Sequence, residues 1–113
     1  MDLINDLQDK IQELNISIKS LRKTGGEFAE AERDYKICLR EEALKLRAEK
    51  GMPVTLIQQV VYGVPEVARK RFDRDIKEAV YKANQEAIAS IKLQIRILEN
   101  QINRDYGVEG KQM

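Results

Sequence analysis

Isoleucine and leucine recur at three- and four-residue intervals in two separate stretches of this sequence, and few folds can use such a pattern twice. In residues 2–22, Ile4, Ile11 and Ile18 hold one heptad position and Leu7, Leu14 and Leu21 the other. Near the far end, Ile88, Ile91, Ile95, Leu98 and Ile102 repeat the pattern. Laid antiparallel, Leu7 opposes Ile102, Ile11 opposes Leu98, Leu14 opposes Ile95, Ile18 opposes Ile91 and Leu21 opposes Ile88, all mirrored about a point between Val54 and Thr55. The same register carried inward sets Phe28 near Tyr81, Tyr35 near Arg74 and Glu42 near Val67. The pattern predicts an all-α chain: a long antiparallel helical hairpin in which a broken helix over 2–50 lies against a long helix over 65–106. Isoleucine at a with leucine at d also suits a parallel two-stranded coiled coil. Pairing of N-terminal helices between two chains is therefore the rival arrangement.

Helix breakers set the boundaries. Thr24-Gly25-Gly26 predicts the end of a first helix over 2–23, since glycine reaches the left-handed C-cap conformation without a Cβ clash. A second helix follows over 27–50, with Phe28, Ala31, Tyr35, Leu39, Ala43 and Leu46 on one stripe. Gly51 caps it and Pro53 blocks continuation. Residues 53–62 are rich in β-branched side chains, yet a lone strand would have nothing to pair with, so they read as a short helix at the tip. Gly63 breaks that helix, and Pro65 suits the first turn of the next. No Pro or Gly then occurs until Gly107, which predicts one helix over 65–106 and a frayed tail over 107–113. All of this fits in a single helical domain, 1–113. Ile16, Leu93 and Ile97 fall outside the paired ladders and suggest a second apolar surface, hence a homo-oligomeric bundle.

Composition narrows the chemistry. The chain has no His and one Cys, which removes the commonest general base and the usual zinc ligands. It carries neither a glycine-rich phosphate loop nor a Gly-x-Ser-x-Gly elbow. A non-enzyme with no cofactor and no metal is expected. The lone Cys38 fits a reducing cytoplasm. No apolar run approaches the roughly 20 residues a membrane span needs. A net charge of +1 gives no global affinity for polyanions, so any anion site must be local.

The local candidate is Gly51 to Arg74, where four cations stand in the six positions from Arg69. On the long helix, Ala68, Phe72, Ile76, Ala79, Val80, Ala83 and Ala87 form an apolar stripe that reads as the packing face. Arg69 lies at its edge, as a structural ion pair with Glu42 or as a rigid fork for phosphate. Arg71, Arg74, Glu78, Tyr81 and Gln85 share a face roughly opposite, and Lys82 adjoins it. The plain account is solvent, with Arg71–Asp75 and Arg74–Glu78 as ordinary surface pairs. In an oligomer the same face could line a groove between chains, where arginines would hold a phosphate and an aromatic ring would stack on a base. Tyr62, Thr55, Gln58 and Gln59 add hydroxyls, amides and an aromatic ring at the tip; such groups most often satisfy the turn's own backbone, and they are also candidates to read a small polar ligand. A helix-turn-helix reading of residues 47–72 fails on spacing: Val67 follows the turn too soon, and the helix starting at Pro65 runs on too long.

The segment AEAERDYKICLREEALKLRAEKGMPVTLIQQVVYGVPEVARKRFDRDIKEAVYKANQEAIASIKLQIRILENQI, about residues 29–102, resembles a group of short helical proteins encoded by tailed phages and prophages of Gram-positive bacteria. Its most distinctive parts are GMPVTLI and EVARKRFDRDIKEAVYKANQEAI. The resemblance implies a product of the phage early or accessory region, acting in the cytoplasm of the infected host, with no catalytic residues to carry over. Small oligomeric phage proteins of this type include replication or recombination accessories and anti-defence factors. Some of the latter are sponges that trap the nucleotide signals of CBASS or Thoeris immunity. On that reading the partners are further copies of the chain and a small nucleotide-type ligand held by Arg69, Arg71, Arg74, Lys82, Tyr81 and Tyr62 in pockets between subunits. DNA or a host protein bound through the tip is the alternative, and a plain coiled-coil adaptor the third.

Overall fold

In the computed structural model, residues 2–112 are described, with the side chains of residues 2–107. The chain is all-α: α1 (Leu3–Lys50), α2 (Val54–Val60), a 3-10 turn (Val61–Gly63) and α3 (Pro65–Gln112). No strand occurs among the described residues, so the β-branched run at 54–62 is helical as expected. By density of contacts, residues 23–81 form one compact unit; those up to 22 and from 82 onward form a second.

α1 does not break at Thr24-Gly25-Gly26, which corrects the expected division into helices over 2–23 and 27–50. Neither glycine takes a positive φ; among the described residues Gly51 alone does, at 59°. A helix-interior glycine costs about 1 kcal/mol relative to alanine, which long flanking helical runs can absorb. Gly25 also has a packing reason to be small. A Cβ built on it would stand 3.0 Å from Cε1 of Tyr81. The glycine clears space for a ring rather than ending a helix.

Gly51 does what its position predicts. Its N–H donates to the carbonyl of Arg47 at 3.2 Å, closing α1 with a left-handed cap. The Arg47 guanidinium, through Nη1, donates to the Met52 carbonyl at 3.1 Å. Pro53, extended at φ −60°, ψ 145°, starts α2, and its carbonyl accepts from Leu56 and Ile57, each at 3.0 Å. Val64 is extended again, and its carbonyl accepts the first turn of α3 from Ala68 at 2.9 Å. Pro65 thus sits at the first helical position, where its missing N–H costs nothing. At the other end α3 runs through Gly107 to Gln112, so the backbone of the expected tail is helical; Met113 lies outside the described residues.

The core of the unit over 23–81 is Tyr35, Ile57, Val61 and Val67, with Cys38, Leu39, Ala43, Leu46, Met52 and Val64 packed around it. Three elements and the connector meet there, and Val67 is fully enclosed. Two contacts fit the antiparallel register: the Phe28 and Tyr81 rings stack at 5.9 Å, and Arg74 lies over the Tyr35 ring at 4.8 Å. In the other unit Ile88 and Ile91 are buried. Leu7, Leu14, Leu21, Ile95, Leu98 and Ile102 are half-buried. The Asn84 side-chain amide donates to the Ser17 carbonyl at 3.1 Å, linking the segments. The leucine ladder of α1 is thus partly covered while Ile4, Ile11 and Ile18 stay exposed. A contact between just two helices has one seam, and a second row falls on its margin.

The expected packing stripe of α3 faces outward, a second correction. Phe72 is 66% exposed, and Ile76 and Val80 are about half exposed. Ala68, Ala79, Ala83 and Ala87 are exposed with them. The face turned to α1 over 65–81 instead carries Val67, Lys70, Arg74, Lys77, Glu78 and Tyr81, all buried or half-buried. Long polar side chains can fill such a seam because their stems are apolar.

Candidate ligand-binding site

The face expected to bind ligand is divided. Arg74 and Tyr81 are turned inward, while Arg71, Lys82 and Gln85 are exposed. The Arg74 side chain is 19% exposed. Its guanidinium stacks on Tyr35, its Nε donates to Asp75 Oδ1 at 2.8 Å, and its Nη1 stands 3.7 Å from Glu32. Tyr81 is held between Gly25 and Phe28. Both side chains are committed within one chain, which corrects their assignment to an open anion groove. Period alone cannot tell a polar residue on a seam from one in solvent, so Arg74 and Tyr81 read as surface groups.

Arg69 does not reach Glu42. Its Nη2 donates to Glu66 Oε2 at 2.8 Å, one turn back on the same helix. That bond, with the charge of Arg69, holds the Glu66 carboxyl below its ordinary range. Glu42 pairs with Lys45 at 3.3 Å instead. The expected alternative of a free fork for phosphate therefore competes with an i,i+3 pair.

The exposed remainder gathers at the tip. The Arg71 guanidinium lies 5.6 Å from the centroid of Tyr62, whose ring is itself exposed. Gln58 and Gln59 precede Tyr62 by four and three residues and, like Thr55, are exposed. A guanidinium beside an accessible aromatic face offers both a phosphate fork and a stacking surface. Lys82 lies beyond this cluster, in the other compact unit.

Other features lay outside the sequence reading. A shallow groove of ≈ 640 Å³ runs along the outer surface of α1, lined by Ala29, Ile37 and Leu44 with Arg33, Lys36 and Arg40 among its flanks. It includes none of the residues expected to bind ligand. Ile37 and Leu44 stand one heptad apart, a signal that was available but lies off the main stripe. Cys38 sits beside the core; burial first, then Glu42, Glu66 and Glu41, raise its thiol pKa above the ordinary value. Among the described residues no group of three or more His, Cys, Asp or Glu side chains could hold a metal ion, and no helix is long and apolar enough to cross a membrane. In comparisons with known proteins, no protein family, no curated protein and no solved structure matches this chain.

Proposed function

We propose that this chain is a non-catalytic binding protein that works as a homo-oligomer of antiparallel helical hairpins and holds a nucleotide-type ligand at its tip. The biological role would be the phage anti-defence one implied by the resemblance: sequestration of a cyclic-nucleotide or ADP-ribose-type immune signal, in pockets completed by a neighbouring copy, in the host cytoplasm. The observation that carries this reading is the exposed Arg71–Tyr62 pair, 5.6 Å apart, with Gln58, Gln59 and Thr55 close by in sequence. Arg71 would take the phosphate and Tyr62 the base, with the amides reading polar edges. Arg74 and Tyr81 would support the fold instead, and Arg69 and Lys82 would be secondary.

Calorimetry against a panel of cyclic dinucleotides and ADP-ribose derivatives tests it. Binding that is lost in Arg71→Ala and Tyr62→Ala, with helicity unchanged, supports the site. No heat with any member of the panel removes it. The α1 groove favours a second reading, the adaptor or accessory one. Ile37 and Leu44, flanked by Arg33, Lys36 and Arg40 and by Glu32 and Glu41, are an amphipathic surface suited to a host-protein helix. DNA bound there or at the tip would lose affinity steeply with salt in a mobility-shift assay.

A further inference from the structure

The outer face of α3 is apolar, exposed and patterned. At about 100° per residue, Ala68, Phe72, Ile76, Ala79 and Ala83 fall within roughly a quarter of the helix circumference, and Val80 and Ala87 lie at one margin. Large and small residues alternate along it. In antiparallel order about a point between Lys77 and Glu78, Phe72 of one copy meets Ala83 of a second, and Ile76 meets Ala79. The two-fold axis then repeats both contacts in reverse. That gives four layers, each with one large side chain against one alanine, closed by Ala68 against Ala87 at the ends. A surface that complements itself under a two-fold rotation is the signature of an isologous interface.

The charges on one flank obey the same symmetry. In an antiparallel pair each flank meets its own copy. Asp75 and Lys82 lie on one flank, a heptad apart, and the proposed register sets Asp75 of each copy beside Lys82 of the other. Arg71 and Glu86 share that flank, so Lys82 of each copy also falls beside Arg71 of the other, and Arg71 beside Glu86: four opposite-charge contacts and two like ones form per dimer.

Surface area points the same way. The chain exposes 8554 Å², whereas a compact monomer of its mass exposes about 6,400 Å². Removing about 800 Å² per copy, the usual share of a stable interface, falls well within that excess. Among the described residues sixteen large hydrophobics are exposed, against seven hydrophobic residues that are buried.

We infer that the outer face of α3 is a two-fold interface with a second copy of this chain, built on Phe72, Ile76, Ala79 and Ala83 and set in register by Asp75 and Lys82. The inference rests on the homo-oligomeric part of the proposed function and not on its ligand. Sedimentation or light scattering of the full chain tests it. The wild type sediments as a dimer or an even multiple. Ile76→Glu weakens that association by at least about a hundredfold while circular dichroism stays helical. Asp75→Lys leaves Lys82 of each copy between two cations and weakens association by about tenfold; adding Lys82→Glu in the same chain recovers most of the loss. A wild type that stays monomeric at high concentration overturns the inference. So does an Ile76→Glu variant that associates like the wild type, or a double variant no better than Asp75→Lys alone. Nucleotide binding is scored separately. A dimer that takes no nucleotide defeats the ligand reading alone, and a monomer that takes one defeats the interface alone.

Discussion

The two faces of α3 between Pro65 and Tyr81 invert the usual rule. The inward face is the more polar, carrying Lys70, Arg74, Lys77, Glu78 and Tyr81 in line with one enclosed valine, Val67. The outward face is the more apolar, with Phe72, Ile76 and Val80 in solvent. Folding within one chain has therefore drawn on a small, polar-edged seam and left the richer apolar surface uncovered. On the interface inferred above, a second copy covers that stripe. In a chain that assembles, the strongest apolar period marks where burial is greatest in the assembly, not in the single copy.

The largest effect should come from exchanging these faces by mutation. Val67→Ala removes two methyl groups from a fully enclosed site and should cost about 2 kcal/mol in denaturant unfolding. Phe72→Ala deletes a much larger side chain, yet should cost no more than about 0.5 kcal/mol in dilute protein, because the ring is already in water. At high concentration its penalty should grow as association is lost. Equal costs at every dilution would mean that the outer face is covered within one chain.

The arginines sharpen the contrast next. Arg74→Ala loses the stack on Tyr35 and its pairs with Glu32 and Asp75 at a mostly covered site, and should destabilise by about 1 kcal/mol. Arg71→Ala, out at the tip, should change stability by less than about 0.5 kcal/mol. Arg74→Lys should recover only part of the loss, since an ammonium cannot stack as a planar guanidinium does. If Arg71 proves the costlier of the two, the division of this face into supporting and available residues is wrong.

Much of the helical architecture was legible in the sequence, and the errors share a cause. Pro53, Pro65 and Gly51 act locally, through fixed φ, a missing N–H and a left-handed cap, so their effects could be read from neighbours alone. Gly25 and Gly26 could not be read that way. A glycine can end a helix or make room for a partner, and only the ring of Tyr81, more than fifty residues away, decides which. Arg74 and Tyr81 failed for a related reason: the hairpin register placed Arg74 beside Tyr35 and Tyr81 beside Phe28, but their polar ends argued for solvent. The register was the better guide. The outer face of α3 was visible as a stripe and read as the packing face, yet it is exposed in the single chain, since an apolar period carries no information about which surface covers it.

The paired glycines give a smaller test of the same kind on α1. Nothing lies within 4 Å of a Cβ built on Gly26, so Gly26→Ala should stabilise by up to about 1 kcal/mol through helix propensity alone. Gly25→Ala gains the same propensity but presses on Tyr81, and should show clearly less of it or a net loss. Thermal unfolding of the two variants side by side reads the difference. Equal stabilisation would mean that the Tyr81 ring moves aside without cost, and that Gly25 has no packing role.

The smallest effect lies with the exposed pair on the first turn of α3. Its hydrogen bond from Arg69, reinforced by charge, holds the Glu66 carboxyl below its ordinary value. A carboxylate with a lowered folded pKa contributes stability above its unfolded pKa and loses it as pH falls through the folded one. The contribution is therefore constant at neutral pH and disappears in the acid range. Glu66→Gln removes the proton linkage and keeps an amide of similar size. Its unfolding midpoint should lie slightly below that of the wild type at pH 7, with the gap closing on acidification and shrinking in high salt, which screens exposed charge. Glu66 also sits near the helix N-terminus, where negative charge is favoured for a separate reason. Arg69→Gln distinguishes the two sources: it removes the pair and leaves the carboxylate on the dipole. Should Arg69→Gln leave the acid dependence of the wild type unchanged, the guanidinium is not what holds Glu66 ionised, and Arg69 is available to an anionic ligand after all.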